Sequence, residues 1–132
     1  MKTIALSYIV VLVVFVGLDF SWLGKAGDTI YRPAMGDMVL PGFRLAPALA
    51  FYLLYVAGVV FFAVMPGLAA GGWQTAGLRG AFFGLCAYAT YDLTNQATLK
   101  HWSTTLSLVD MTWGALLTGV AAAAAAKVSA SV

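Results

Sequence analysis

Four apolar stretches, each close to the length that crosses a membrane as a helix, occupy most of this 132-residue chain. A helix needs about 20 mainly apolar residues to span the hydrocarbon core of a bilayer. With 62% hydrophobic and 9% charged residues, the chain is too apolar for a soluble domain. We therefore predict one all-α transmembrane domain over residues 1–132, with helices at about 4–23, 45–65, 78–99 and 103–126.

The first stretch also has features of a secretory signal, because Lys2 precedes a long apolar run. Asp19 interrupts the end of that run, and the only nearby small-x-small match is Gly24-Lys25-Ala26. Three more spanning stretches follow it. We therefore predict that the first helix is retained.

Four spans would place both termini on one face of the membrane, called side one here. The loops at residues 24–44 and around Lys100 would lie on the other face, side two. Side one carries three basic residues (Lys2, Arg79 and Lys127) and side two carries four. Cytoplasmic loops are enriched in Lys and Arg, but four against three does not decide the orientation. The 24–44 loop is amphipathic, and both an interfacial segment and an irregular connector remain open.

Three of the five acidic residues lie inside the apolar stretches: Asp19, Asp92 and Asp110. A carboxylate in the hydrocarbon costs about 2.5–3.5 kcal/mol on insertion scales, and such residues usually serve a function. Each of them opens a similar tetrad, Asp-Phe-Ser-Trp, Asp-Leu-Thr-Asn or Asp-Met-Thr-Trp. The three aspartates are therefore the catalytic candidates.

The number of residues between each aspartate and the nearest side-two loop indicates its depth in the membrane, and all three fall in the half next to side two. Asp19 lies about 7 Å of helix rise from Gly24. Asp92 precedes Lys100 by eight residues and Asp110 follows Trp102 by eight, which is about 12 Å of rise in each case. Since the third and fourth helices run in opposite directions, we predict that the aspartates converge in a polar pocket near side two.

Polar and aromatic residues at helical spacing accompany the aspartates and would complete this pocket. One face of the third stretch carries tyrosine, asparagine and threonine, where contact with lipid would be costly. Basic residues of the side-two loops would lie over the mouth. The predicted binding residues are Asn95, Tyr91, Thr94, Trp22, Trp113, Arg32 and Lys100. The second stretch has no Asp, Lys, Arg or His, so we predict a lipid-facing or packing helix there.

An enzyme acting on a lipid or lipid-like substrate is the function that we favour. Asp92 would serve as a general acid or base, and two of the aspartates would share a proton as a dyad. The substrate would enter sideways from the bilayer, so membrane lipids are the predicted partners.

Two other classes of function remain open. Intramembrane carboxylates carry protons and cations in transporters, although the side-one halves of the four stretches are almost wholly apolar. Alternatively, polar side chains join helices by hydrogen bonds worth roughly 0.6–2 kcal/mol, as in an assembly subunit of a larger membrane complex. Two rows of small residues suit close helix packing within a monomer or across a homo-oligomer. They are Ala76, Gly80 and Gly84 on the third stretch, and Ala115, Gly119 and Ala123 on the fourth.

The composition leaves cofactors open. The oxygens of the aspartates and of Asn95 would suit Mg²⁺, Ca²⁺ or Mn²⁺, but we assign no metal site. The single histidine, His101, excludes a histidine-rich di-iron centre. A net charge of +2 without a basic run speaks against nucleic acid as a partner.

Three motifs together resemble a known family. They are Asp19-Phe20-Ser21-Trp22, then Tyr91-Asp92-Leu93-Thr94-Asn95-x-x-Thr98-Leu99-Lys100-x-Trp102, and Asp110-x-x-Trp113-Gly114. They are similar to a family of small bacterial membrane proteins known as a domain of unknown function, DUF2177. The resemblance covers nearly the whole chain and implies a four-helix, multi-pass protein of the bacterial cytoplasmic membrane with these polar residues as its signature. It implies no activity, cofactor or substrate.

Overall fold

The computed structural model describes residues 1–132 and consists of four helices without a strand. We label them α1 (Lys2–Met38), α2 (Leu45–Ala70), α3 (Trp73–Thr98) and α4 (Thr104–Ser129). The prediction of an all-α, four-helix membrane protein is confirmed. Three of the helices, α1, α2 and α4, are long and apolar enough to cross a membrane. The fourth, α3, has the same length as α4, but it carries more residues of the predicted pocket than any other helix.

The first helix does not end near residue 23 but continues to Met38, so most of the predicted 24–44 loop is helical. A wide π turn over Gly27–Tyr31 precedes Pro33. Proline lacks a backbone N–H, and its ring collides with the preceding turn of a regular helix; a π turn adds a residue there. The α-helical part stops at Gly36, whose φ of 63° is readily adopted by glycine.

The second helix also contains a π turn before a proline. A π turn over Val60–Val64 comes directly before Pro66, after which the helix resumes and ends at Ala70. The helix therefore runs five residues beyond the predicted end at 65. Residues 66–77 were predicted to form a turn because they are rich in glycine and alanine.

The antiparallel pair of α3 and α4 forms the most extensive helix–helix interface, and α1 packs on α4. Gly80 and Gly84 are buried in this interface, and Ala76 is buried beside Gly67 of α2. A Cβ atom on Gly80 would collide with Ala122, and one on Gly84 with Thr118. The small-residue row on α3 is therefore used inside the monomer, where it lets the two backbones approach closely.

The apolar core occupies the side-one half of the bundle and draws on all four helices. It includes Val11, Phe15, Val56, Val59, Val64, Ala76, Leu117, Ala121 and Ala125. The outer surface is also apolar; Leu54, for example, is 76% exposed and Phe61 is 71% exposed. Such a surface suits contact with lipid. The buried carboxyl groups lie in the opposite half, next to side two.

Candidate functional site

Asp92 and Asp110 meet across the interface of α3 and α4. The side chain of Asp92 is 0% exposed, and no N–H or O–H group donates a hydrogen bond to either of its carboxyl oxygens. The carboxyl group of Asp110 on α4 is its acidic neighbour. Because two negative charges repel strongly in a buried site, we expect such a pair to hold one proton.

Asp110 has a second partner, which comes from the extended end of α1. The hydroxyl of Tyr31 donates to Oδ1 of Asp110 at 2.6 Å, and the indole N–H of Trp22 donates to the hydroxyl of Tyr31 at 2.9 Å. The predicted binding residue Trp22 therefore reaches Asp110 through Tyr31. The position of Tyr31 in this site could not be predicted from regular helical spacing, because the π turn adds a residue between Asp19 and Tyr31.

Asp19 is held by two donors from other helices. The hydroxyl of Tyr52 on α2 donates to Oδ2 at 2.7 Å, and the indole N–H of Trp113 on α4 donates to Oδ1 at 3.3 Å. Trp113 also stacks on Trp22, with ring centroids 4.7 Å apart. Asp19 and Asp110 are both only 8% exposed. The description of the second stretch as merely a lipid-facing or packing helix is wrong at Tyr52.

A polar network closes the turn between α3 and α4 next to Asp92. Ser107 donates to Oε1 of Gln96 at 2.8 Å and accepts from the indole N–H of Trp102 at 2.9 Å. Gln96 in turn donates to Thr104 at 2.8 Å. Sequence reasoning did not select Ser107 or Gln96. Their signal was present, since both are polar residues within one turn of an aspartate.

The other predicted residues on α3 differ in position. Tyr91 is 52% exposed, packs against Trp102 at 5.7 Å and lines a cavity described below. Thr94 is exposed and donates its hydroxyl to the backbone carbonyls of Thr90 and Tyr91. Asn95 is half-buried and forms no hydrogen bond with the aspartates. Of these three, only Tyr91 belongs to the assembled site.

Neither of the predicted rim residues, Arg32 and Lys100, forms an ion pair with an aspartate of the site. Arg32 forms an ion pair with Asp28 at 3.2 Å and donates to the carbonyl oxygens of Leu40 and Pro41 at 3.1 and 3.3 Å. It therefore ties the end of α1 to the connector before α2. Lys100 is exposed in the turn between α3 and α4.

Two cavities adjoin the carboxyl groups. The lateral cavity, of about 230 Å³, lies between α2 and α3 and is lined by Phe51, Ala87, Tyr88, Tyr91 and Asp110. The side-two cavity, of about 590 Å³, lies between the end of α1 and the start of α2, and its walls include Tyr31 and Tyr52. Asp110 thus faces the lateral cavity directly, while the side-two cavity reaches Asp110 and Asp19 through the two tyrosines.

The donor set does not form a metal site. No three of the His, Cys and Asp side chains are close enough together to hold an ion. Asp19 and Asp110 also accept hydrogen bonds from Tyr52, Trp113 and Tyr31. The metal interpretation of the aspartates and Asn95 is thus not supported by their geometry. The arrangement is suited to holding and moving a proton.

A family model matches almost the whole chain. Residues 4–127 match the model of a family described as "Predicted membrane protein (DUF2177)". No curated protein and no solved structure matches the chain. The matched region includes the three aspartates, both stacked tryptophans and nearly all of the four helices.

Proposed function

The chain belongs to the DUF2177 family of predicted membrane proteins, and we propose that it is a lipid-directed enzyme, or the acid–base subunit of one, in the bacterial cytoplasmic membrane. Asp110 would face the polar group of a membrane-dissolved substrate. Asp92 would hold the proton that the two carboxyl groups share. Membrane lipid is thus both its surroundings and the source of its substrate.

The observation that carries this proposal is the position of Asp110 between the lateral cavity and Asp92. Asp110 lines that cavity, whereas Asp92 lies behind it, fully buried and without a donor. A carboxyl pair that holds one proton carries one negative charge, and it can accept a proton from a bound group or deliver its own proton to that group. When the substrate O–H bond breaks, the carboxyl O–H bond forms and the negative charge moves from the pair to the substrate oxygen; the reverse step returns both.

Tyr31 gives this pair a route for exchanging its proton. Its hydroxyl donates to Asp110, and the residue also lines the side-two cavity. That cavity is larger and is bounded by the charged residues Asp28 and Arg32, which suit contact with water. Protons would therefore be exchanged through Tyr31 on one side of Asp110, while the substrate occupies the other.

Proton or cation transport has less support. A path across the membrane would need free polar groups in the side-one half. The buried polar groups there bond to one another: Ser7 with Ser129, and Tyr55 with Thr118, each pair at 2.8 Å. The surrounding core residues are apolar. The polar groups that could carry a proton thus stop at Asp92.

A purely structural role accounts poorly for Asp92. Helices are joined more cheaply by neutral side chains that satisfy each other, as Ser7 and Ser129 do. A buried carboxyl group that receives no donor costs free energy rather than supplying it. Retaining such a group is understandable when its proton is used.

The test is a comparison of total lipids, by mass spectrometry, in the host with the wild-type gene, a deletion, Asp92→Asn and Asp37→Asn. Asp37 is an exposed aspartate outside the site, so Asp37→Asn is the matched control. We expect a lipid species that changes in the deletion and equally in Asp92→Asn, but not in Asp37→Asn. If lipids are the same in all strains at matched protein levels and in several growth conditions, the enzyme proposal is wrong.

A further inference from the structure

The side-two cavity, of about 590 Å³, has aromatic side chains on several of its walls. This volume lies within the range of about 300–1,000 Å³ that is typical of sites for small organic ligands. The rings of Phe20 and Tyr52 meet nearly at right angles, with centroids 6.2 Å apart and an interplanar angle of 82°. A rounded group in the cavity can therefore contact more than one ring. The aromatic residues of the cavity are Phe20, Tyr31, Phe43 and Tyr52.

Two of these residues are tyrosines whose hydroxyls already donate to buried aspartates. Tyr52 donates to Asp19 at 2.7 Å, and Tyr31 donates to Asp110 at 2.6 Å. Neither hydroxyl has a hydrogen left for a ligand, so the two tyrosines can only accept from one. Hydrogen bonds polarise the groups that they join. A phenol that donates to a carboxylate therefore has a more electron-rich ring, and such a ring attracts a cation more strongly.

The charges behind the inner wall of this cavity also favour a cation. Asp19 accepts a hydrogen bond at each of its oxygens, from Tyr52 and from Trp113, which fits an ionised carboxylate. The pair of Asp92 and Asp110, holding one proton, adds a second negative charge. No basic side chain forms an ion pair with any of the three aspartates. Because the surroundings are of low dielectric, these charges attract a cation in the cavity more strongly than they would in water.

The charged residues at the mouth of the cavity do not cancel this negative charge. Arg32 is paired with Asp28 at 3.2 Å and also donates to the carbonyl oxygens of Leu40 and Pro41. The mouth is therefore neutral in sum. A hard metal ion needs several oxygen ligands, whereas most of the walls are aromatic and aliphatic. The cation that suits these walls is an organic one.

We propose that the side-two cavity binds an organic ammonium group, such as the trimethylammonium group of choline. The cation lies against the rings of Phe20, Phe43 and Tyr52, with the charge of Asp19 behind Tyr52. Aromatic walls of this kind are the usual means by which proteins recognise quaternary ammonium groups. The ammonium group comes either from a soluble amine or from the head group of a lipid, because the cavity lies at the side-two end of the helices.

This site is separate from the lateral cavity, and its assignment does not depend on the enzymatic proposal. A volume of about 590 Å³ holds water beside a small ammonium group, since one water takes up about 30 Å³. Tyr31 can therefore still exchange protons when the site is occupied.

The experiment uses the purified full chain in phosphatidylglycerol nanodiscs, whose lipid carries no ammonium group. Saturation-transfer NMR detects the methyl groups of choline in contact with the protein, and empty nanodiscs give the background. The neutral alcohol 3,3-dimethylbutan-1-ol has the shape of choline without its charge. We expect choline to bind and the neutral alcohol to bind about fivefold more weakly. Equal binding of the two, or no choline signal above background, would overturn the proposal.

Phe43→Leu tests the aromatic wall without disturbing the core, because the side chain of Phe43 is 69% exposed. Phe82→Leu is the matched control, since Phe82 is 68% exposed and lies outside this cavity. We expect Phe43→Leu to weaken choline binding about two- to fivefold and Phe82→Leu to leave it unchanged. An unchanged affinity in Phe43→Leu, or the same loss in both variants, would contradict the proposed site.

Asp19→Asn tests the charge behind the wall. We expect choline to bind more weakly to this variant, by about fivefold, because one nearby negative charge is removed. The weak binding of 3,3-dimethylbutan-1-ol should stay the same, since a neutral ligand does not respond to that charge. Unchanged choline binding, or an equal loss for both ligands, would show that Asp19 does not attract the cation and would overturn the electrostatic part of the proposal.

Phosphatidylcholine with deuterated methyl groups, added to the nanodiscs as a minor component, distinguishes the two sources of the ligand. A fall in the choline signal identifies the head group of a lipid as the occupant. An unchanged signal identifies a soluble amine. Both results support the ammonium site and differ only in the molecule that supplies the cation.

Discussion

The rings of Trp22 and Trp113 stack with their centroids 4.7 Å apart. Each indole N–H takes part in the hydrogen bonding of an aspartate on the other tryptophan's helix. Trp113 of α4 donates to Asp19 of α1, while Trp22 of α1 donates to Tyr31, which donates to Asp110 of α4. The two carboxyl groups are thus held by one aromatic unit. A displacement of α1 against α4 would disturb both of them together.

Replacing Trp113 with Phe should test this coupling. The ring can still stack, but Asp19 loses one donor, so we expect a loss of stability of about 1–2 kcal/mol. Trp73→Phe is the control, since the indole of Trp73 lies under Lys127 on side one and donates to neither carboxyl group. Thermal unfolding in detergent measures the difference. Equal losses in the two variants would contradict the proposed role of Trp113.

The tyrosines that donate to the carboxyl groups should matter more than a tyrosine that donates to the backbone. Tyr31 and Tyr52 donate to Asp110 and Asp19, whereas Tyr8 donates to the carbonyl of Leu53. Hydrogen bonds to charged groups contribute about 1.5–3 kcal/mol, and neutral ones about 0.5–1.5 kcal/mol.

We therefore expect Tyr31→Phe and Tyr52→Phe to lower the unfolding temperature more than Tyr8→Phe. In the deletion strain, Tyr31→Phe should restore the lipid species that depends on Asp92 less fully than the wild-type protein does, because it removes the route for proton exchange. A Tyr31→Phe protein that restores host lipids fully in the deletion strain would exclude that route.

Asp92→Asn should separate chemistry from folding. The amide N–H₂ of asparagine can donate to Asp110, which replaces the shared proton, so we expect stability to be unchanged or slightly increased. Activity should be lost, because an amide does not exchange protons as a carboxyl group does. Unfolding temperature and host lipids, measured on the same variant, check this. A strong loss of stability with normal lipids would identify Asp92 as a structural residue.

Gly84→Val should prevent the close approach of α3 and α4. A Cβ atom at Gly84 would collide with Thr118 and with the carbonyl oxygen of Gly114, and overpacking of this kind costs about 1–3 kcal/mol or more. Gly17→Val is the control, because its Cβ would meet nothing within 4 Å. Unfolding temperature and yield of folded protein distinguish them, and equal behaviour would argue against the packing described here.

The sequence predicted those features that depend on residue counts and polarity. Four apolar stretches were enough for the helices, and equal spacing from the α3–α4 turn indicated that Asp92 and Asp110 lie at similar depth. The role of Tyr52 was missed because a tyrosine in an apolar helix is commonly a packing residue. Tyr31 was missed because the π turn before Pro33 shifts the helical spacing.

The ion pair of Arg32 with Asp28 could have been predicted from the sequence. Asp28 lies four residues before Arg32, and opposite charges at that spacing pair on a helix. Because residues 24–44 were predicted as a loop, this pair was not recognised, and Arg32 was assigned only to the rim of the pocket. A basic residue predicted to lie in a loop could not be assigned to a particular acidic partner.

The most direct test of the account is infrared spectroscopy of the proton that we propose Asp92 and Asp110 share. We expect the wild-type protein in lipid at neutral pH to show the carbonyl stretch of a protonated carboxylic acid, shifted on exchange into D₂O. The band should be absent in both Asp92→Asn and Asp110→Asn and present in Asp19→Asn. A wild-type spectrum without this band, or a band that survives in both pair variants, would contradict the central claim.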